Sequence, residues 1–351
     1  MKLDQAIAIR SGEELDVEKL TPFLKDTIPN FGTISAISQY PSGFSNLTYL
    51  IETDDKAYIL RRPPHGASAK GGHDMGREFR VLSLLKQAGY AKIPTPLSIE
   101  ASGTLLGTPF YIMERLSGVI LRPKDAQNSA LTVETMRHTS KRLIDSLAEL
   151  HALDIETTEL AQLGKPEGYV QRQVDGWIDR YHKAQTDDVI NMEIAADWML
   201  KNMPRPQKPT FLHNDYKYDN VIWNPEMTHI IGVLDWEMST VGDPLMDFGA
   251  ALAYWGELSD GDFTKMMNLT WLDGNLTRRQ AIDRYYEKTG RDLSDILFYY
   301  VFGLYKNAVI AQQIYTRWKK GLTQDARFSG LIYGVFELSK MAVKSIDNKK
   351  V

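Results

Sequence analysis

The sequence predicts an α+β chain of two lobes, the first an antiparallel sheet with one helix and the second mostly helical. Three observations carry that prediction. The chain has 351 residues, more than twice the ~150 that serve one domain, so two packed bodies are expected. Its hydrophobic period changes near residue 117, from strand-like alternation to the three-and-four spacing of helices. Only one compact β region interrupts the helical second half. The expected division is residues 1–116 and 117–351.

In the first lobe, Leu47, Tyr49 and Ile51 alternate with polar neighbours, Asp54-Asp55 turns the chain, and Tyr58-Ile59-Leu60-Arg61 returns as the second strand of a hairpin. Pro63-Pro64 stops it. Met75, Phe79, Leu82 and Leu85 then share one face of a helix over residues 75–88, with Glu78 at the edge of that face. Residues 97–100, a turn region at Gly103 and residues 109–116 imply a further hairpin. Past Gly118, Leu143, Leu147 and Leu150 repeat inside a helix expected over residues 136–154, and Trp177 with Tyr181 marks another before Pro204 and Pro206. Phe211-Leu212 leads into a polar loop, Val221-Ile222-Trp223 forms a short strand, Asn224-Pro225 turns, and residues 230–234 come back. Helices resume near Pro244 and run to the end.

Composition narrows the chemistry. Hydrophobic residues at 43% and charged ones at 25% describe a globular chain with a large interior. Lysine and arginine number 41 against 45 aspartates and glutamates, a net charge of −4. No global basic field exists to hold nucleic acid or an anionic membrane, so a small-molecule partner is favoured. With no cysteine, thiolate nucleophiles, zinc-thiolate sites and disulfides are removed together, and any nucleophile or metal ligand must be oxygen or imidazole. No stretch reaches the ~18 apolar residues of a membrane span and no apolar leader opens the chain, so a cytoplasmic location is expected.

The densest polar signal is His213-Asn214-Asp215-Tyr216-Lys217-Tyr218-Asp219-Asn220, followed after the hairpin by Asp235-Trp236-Glu237 and then Gly242-Asp243-Pro244 and Asp247. Antiparallel pairing of the hairpin brings Asn220 and Asp235 to the same open end. Asp215 enters the same space. Two carboxylates and an amide oxygen converging there make a hard, oxygen-rich site suited to Mg²⁺ carrying substrate phosphates. Phosphoryl transfer asks for such a set, with one carboxylate to accept the attacking hydroxyl's proton.

The pattern His213-x-Asp215-x-x-x-x-Asn220, then Asp235, then Gly242-Asp243-Pro244-x-x-Asp247 resembles the aminoglycoside phosphotransferases and choline-kinase-like relatives, small-molecule kinases with a protein-kinase-like fold. The resemblance runs from about residue 34 to 252. It implies ATP and Mg²⁺ as cofactors and a hydroxyl of a small molecule as acceptor. By it Asp215 corresponds to the catalytic base, Asn220 and Asp235 to the magnesium ligands, and His213 and Asp247 to supports of the catalytic loop. Gly43, Ser45 and Asn46 match a loop that covers the nucleotide, Arg61 the strand cation that touches phosphates, and Glu78 its helix partner. Met113 and Glu114 fall in the strand and hinge whose backbone receives adenine. The Leu60-Arg61-Arg62-Pro63-Pro64 strand end is similar to that of the kinase-like domains found beside acyl-CoA dehydrogenases.

The residues leave alternatives open. Protein kinases and antibiotic kinases carry lysine where Arg61 stands, and Arg62 offers a second cation for the same role. That departure motivates a nucleotide-binding pseudokinase as the rival reading, and His213 with Asp215 and Asp235 admits a metal-dependent hydrolase. Arg61 and Glu78 also suit a surface ion pair, Asp243 a helix cap, and Asp247 a buried structural acceptor. Tyr254 and Trp255 suit either an acceptor pocket or the core.

Overall fold

The computed structural model describes residues 3–41, 46–64, 73–323 and 325–351. Helix α1 (Val17–Thr27) begins where the Asp16 carboxylate accepts the amide of Lys19. Strands β1 (Ile34–Gln39), β2 (Leu47–Thr53) and β3 (Ala57–Arg62) follow, then helix α2 (Met75–Gln87), capped by Asp74, and strands β4 (Pro96–Glu100) and β5 (Phe110–Glu114). They form one antiparallel sheet in the order β1-β2-β3-β5-β4. Alternation along the strands sends Leu50, Ile59, Tyr111 and Met113 to the face covered by α2, and Tyr49, Ile51, Leu60 and Ile112 to the face covered by α1. Arg61 points to the α2 side. Arg62 points the other way, buried near Tyr49, and burial draws its guanidinium below the ordinary arginine range. Arg62 therefore cannot share the role of Arg61: adjacent strand residues occupy opposite faces.

The second half comprises α3 (Val133–His151), α4 (Tyr169–Ala184), α5 (Ile190–Lys201), β6 (Thr210–Leu212), β7 (Val221–Trp223), β8 (Ile230–Val233), β9 (Thr240–Gly242), α6 (Pro244–Ala253), α7 (Asp262–Met267), α8 (Arg278–Thr289), α9 (Ile296–Lys319) and α10 (Leu331–Asn348). Helix α3 starts earlier than its leucine spacing suggests because the Thr132 hydroxyl accepts the Thr135 amide. It also ends earlier, since Asp154 accepts the amides of Glu156 and Thr157 in a turn of its own. The expected hairpin is β7–β8, with Val221 opposite Val233. A second ladder, β6–β9, closes the loop around it by pairing Phe211 with Val241.

One apolar cluster runs from the inner face of the sheet and α2 through α3, α4 and α6 to α9 and α10. Helices α6 and α9 cross almost backbone to backbone. A Cβ on Gly249 would lie 2.2 Å from the Tyr299 carbonyl oxygen, and one on Gly303 2.4 Å from that of Gly249, so only glycine permits the approach. Among the described residues, no helix is long and apolar enough to cross a membrane.

Candidate active site

The polar loop between β6 and β7 is held from below by α6. Asp243 caps that helix by accepting the Leu245 amide at 2.9 Å, and it also takes the Gln207 amide and the Tyr299 hydroxyl. One turn on, Asp247 is fully buried. Its Oδ2 accepts the His213 amide at 2.6 Å, its Oδ1 the Asn214 amide at 2.8 Å, and His151 Nε2 lies 3.1 Å away. Burial pushes this carboxyl up, but His151 and His213 hold it below the usual aspartate range. Asp247 is thus a structural acceptor that grips the loop's backbone. Asn214 takes the left-handed conformation, φ 67°, that turns the chain toward Asp215.

His213 joins two segments. Its Nε2 donates to the Leu234 carbonyl at 2.7 Å, which assigns Nδ1 as the acceptor for the Asp215 amide at 3.2 Å. Asn220 lies against Asp215, with Nδ2 donating to its backbone oxygen at 2.7 Å and to Oδ2 at 2.8 Å. The Leu234 amide donates to the Asn220 carbonyl at 2.8 Å, so the residues flanking β7 and β8 are tied at the hairpin's open end. Asp235 follows with φ 64°, and its Oδ1 receives Arg61 Nη2 at 2.7 Å. Arg61 Nε meets Glu78 Oε1 at 3.1 Å, with the two side chains 14% and 3% exposed, so this is no surface pair. Burial opposes the Arg61 charge, but Glu78 and Asp235 raise its affinity for a proton well above the ordinary arginine range. Burial pushes Glu78 up and Arg61 pulls it down.

Asn46 precedes β2 and is buried, its Nδ2 3.5 Å from Glu237 Oε2 and its Oδ1 3.0 Å from His73 Nδ1. Gly43 and Ser45 lie outside the described residues. Met113 is buried opposite Ile59, and the Glu114 amide is already given to the Thr95 carbonyl, so both belong to the sheet and the chain leaves it at Arg115.

Two lysines and a tyrosine complete the surroundings of Asp215. Lys217 Nζ lies 3.2 Å from Asp215 Oδ2, 3.4 Å from Asp219 Oδ1 and 5.2 Å from the Tyr254 ring centroid. The Tyr254 hydroxyl lies close enough to Asp215 to favour its charged form. Trp255 instead sits in the core and donates to the Leu276 carbonyl. Lys306 of α9, also buried, donates to the Asn214 carbonyl. A lone cation in the apolar run 298–311 was its signal in the sequence. Burial pushes Asp215 up, but Lys217, Lys306, the Tyr254 hydroxyl and His213 together bring it below the usual aspartate value.

Residues 36–287 match the model described as the phosphotransferase enzyme family. The chain belongs to that family. It is 31% identical over 329 residues to acyl-CoA dehydrogenase family member 10 of Mus musculus, a match covering 91% of this chain but only 30% of that protein. A crystal structure described as a putative aminoglycoside phosphotransferase from Ralstonia eutropha superposes with a TM-score of 0.81 at 26% identity, covering 95% of this chain and 99% of the other. An aminoglycoside phosphotransferase APH(4)-Ia in ternary complex with AMP-PNP and hygromycin B shares the fold at 15% identity, with a TM-score of 0.62 over 93% and 98% of the two chains. The fold is kinase-like.

The donor set fits Mg²⁺ delivered with a nucleotide. Asn220 commits its amide nitrogen to Asp215, which turns Oδ1 the other way, and Asp235 uses only Oδ1 on Arg61. Among the described residues no group of three or more histidines and acids could hold a metal. A Mg²⁺ held by these two side chains would need further oxygens, such as those of nucleotide phosphates, which Mg²⁺ commonly takes.

Proposed function

We propose that this chain transfers the terminal phosphoryl group of ATP to a hydroxyl group on a small molecule, with Mg²⁺ bound between nucleotide and protein. The observation that carries the reading is Asp215: a carboxylate kept ionised, oriented by Asn220 and joined through His213 and Leu234 to Asp235. In this role it accepts the proton of the attacking hydroxyl as that oxygen bonds to the γ-phosphorus and ADP leaves. Asn220 and Asp235 hold the metal, which neutralises charge on the phosphates. Arg61 fixes Asp235, and the backbone beyond Glu114 receives adenine. The AMP-PNP complex of a protein with this fold supports the choice of nucleotide.

The pseudokinase reading draws on one observation, that Arg61 already occupies Asp235 Oδ1. The hydrolase reading loses its imidazole ligand, because His213 uses both ring nitrogens inside the protein. Transfer from labelled ATP to a panel of hydroxyl compounds decides among them. Asp215→Ala should lower turnover by about 10²–10⁴ while Mg-ATP still raises the melting temperature. Equal turnover in variant and parent would end the assignment, and nucleotide binding without any product would favour the pseudokinase.

A further inference from the structure

A pocket of about 220 Å³ opens beside the catalytic loop, walled by Asn214, α4 and α9 and reached from α2. Its charge is unusual for a chain that is acidic overall. Arg77, Arg180 and Lys306 line it against the single carboxylate of Glu237. Arg77 has donors on the Glu237 and Ser239 carbonyls. The other two are less settled. Lys306 is 3% exposed and forms no ion pair among the described residues, its one hydrogen bond going to the Asn214 carbonyl. Arg180 makes no hydrogen bond or ion pair there either; its guanidinium lies 4.5 Å from the Trp177 ring centroid, and Lys306 Nζ is 5.8 Å from the same point.

The face of the Trp177 ring attracts each cation, but the two repel each other and burial costs the lysine its hydration. Burial draws Lys306 below the ordinary lysine range; the Asp215 and Asp247 carboxylates offset only part of this, and Lys217 and Arg180 add to it. An anion between them would answer both penalties, and a guanidinium grips a carboxylate or phosphate at two points. Asn214 is both a wall of this pocket and the residue before Asp215. We propose that the acceptor is an anionic alcohol, a small molecule whose carboxylate or phosphate group docks between Arg180 and Lys306 while its hydroxyl reaches Asp215. The proposal rests on the phosphotransferase reading and deepens it. It also separates this site from one that welcomes hygromycin B, whose amino groups these cations would repel.

The test keeps binding and transfer apart. Glycolate, 3-hydroxybutyrate, inorganic phosphate, glycerol 3-phosphate, glycerol and kanamycin are titrated without nucleotide, with melting temperature as the readout, into the parent, Arg180→Gln and Arg180→Lys. Arg180 is exposed, so both variants should fold, and their unliganded melting curves check it. The carboxylates or the phosphates should stabilise the parent saturably while glycerol and kanamycin do not. Arg180→Gln should weaken that binding about tenfold or more, with Arg180→Lys between. Which anion class binds tighter identifies the group. In transfer assays the KM for the anionic alcohol should rise in Arg180→Gln with the KM for ATP unmoved. Anions that fail to bind, or bind Arg180→Gln equally well, overturn the proposal, as does better kcat/KM for glycerol or kanamycin. Anion binding through Arg180 with no phosphorylated product leaves the anion site standing and removes the phosphotransferase reading instead.

Discussion

Asp215 is half-buried, yet its neighbours make it more acidic than a free aspartate, and that has a consequence for pH. Burial raises its affinity for a proton; Lys217, Lys306, Tyr254 and His213 outweigh burial and lower it. A carboxyl depressed in the folded state keeps its charge above the ordinary value of 3.8 and is protonated only as the pH falls below it. The acid limb of kcat/KM contributed by this base should therefore lie below pH 3.8. Lys217 is the nearest cation, at 3.2 Å. Lys217→Met removes its pull and leaves burial less opposed, so the limb should move to higher pH, read from kcat/KM profiles of parent and variant. A limb that stays in place would show that Lys217 does not tune Asp215.

Elements here were legible where their information is local. The β2–β3 hairpin and α2 announce themselves through apolar spacing within one segment, and the β7–β8 hairpin sets Asn220 and Asp235 at one end by its length alone. Contacts whose partner is distant were not legible. Strand β9 has three residues and finds its register only against β6, some thirty positions earlier. The Arg61–Asp235 pair joins residues 174 positions apart, and the crossing of α6 with α9 depends on two glycines hidden in apolar runs. That crossing carries a prediction, because α6 bears Asp247 and α9 bears Lys306. In Gly303→Ala the new methyl meets the Gly249 backbone oxygen at 2.4 Å, a neighbour that cannot rotate away. The helices must part, at a cost of about 1–3 kcal/mol, and activity should fall with stability. Gly176→Ala in α4 is the control: nothing lies within 4 Å of its added carbon, so replacing a helical glycine should stabilise by about 0.5–1 kcal/mol. Denaturant midpoints should move in opposite directions for the two variants, and equal shifts would deny the backbone contact.

At the scale of the whole molecule, polar ties run from the first half of the chain to the segment 235–239. Arg61 reaches Asp235, Asn46 reaches Glu237, and Arg77 reaches the carbonyls of Glu237 and Ser239. The nucleotide proposed for this site would sit where these ties meet, so its binding energy should appear as stability of the entire fold. A ligand at a hundred times its Kd adds about 2.7 kcal/mol to a protein that binds it only when folded. Melting curves with ATP, with and without Mg²⁺, should show the larger stabilisation with the metal present. The two acids should then respond differently. Asp215→Asn keeps the Mg²⁺-dependent part, because the base acts on the acceptor rather than the nucleotide. Asp235→Asn should lose it and melt with Mg-ATP as the parent does with ATP and EDTA, since an amide there holds the divalent ion less well and no longer pairs with Arg61 as an anion. The reverse pattern, with the metal response lost in Asp215→Asn and kept in Asp235→Asn, would exchange the roles of the two carboxylates.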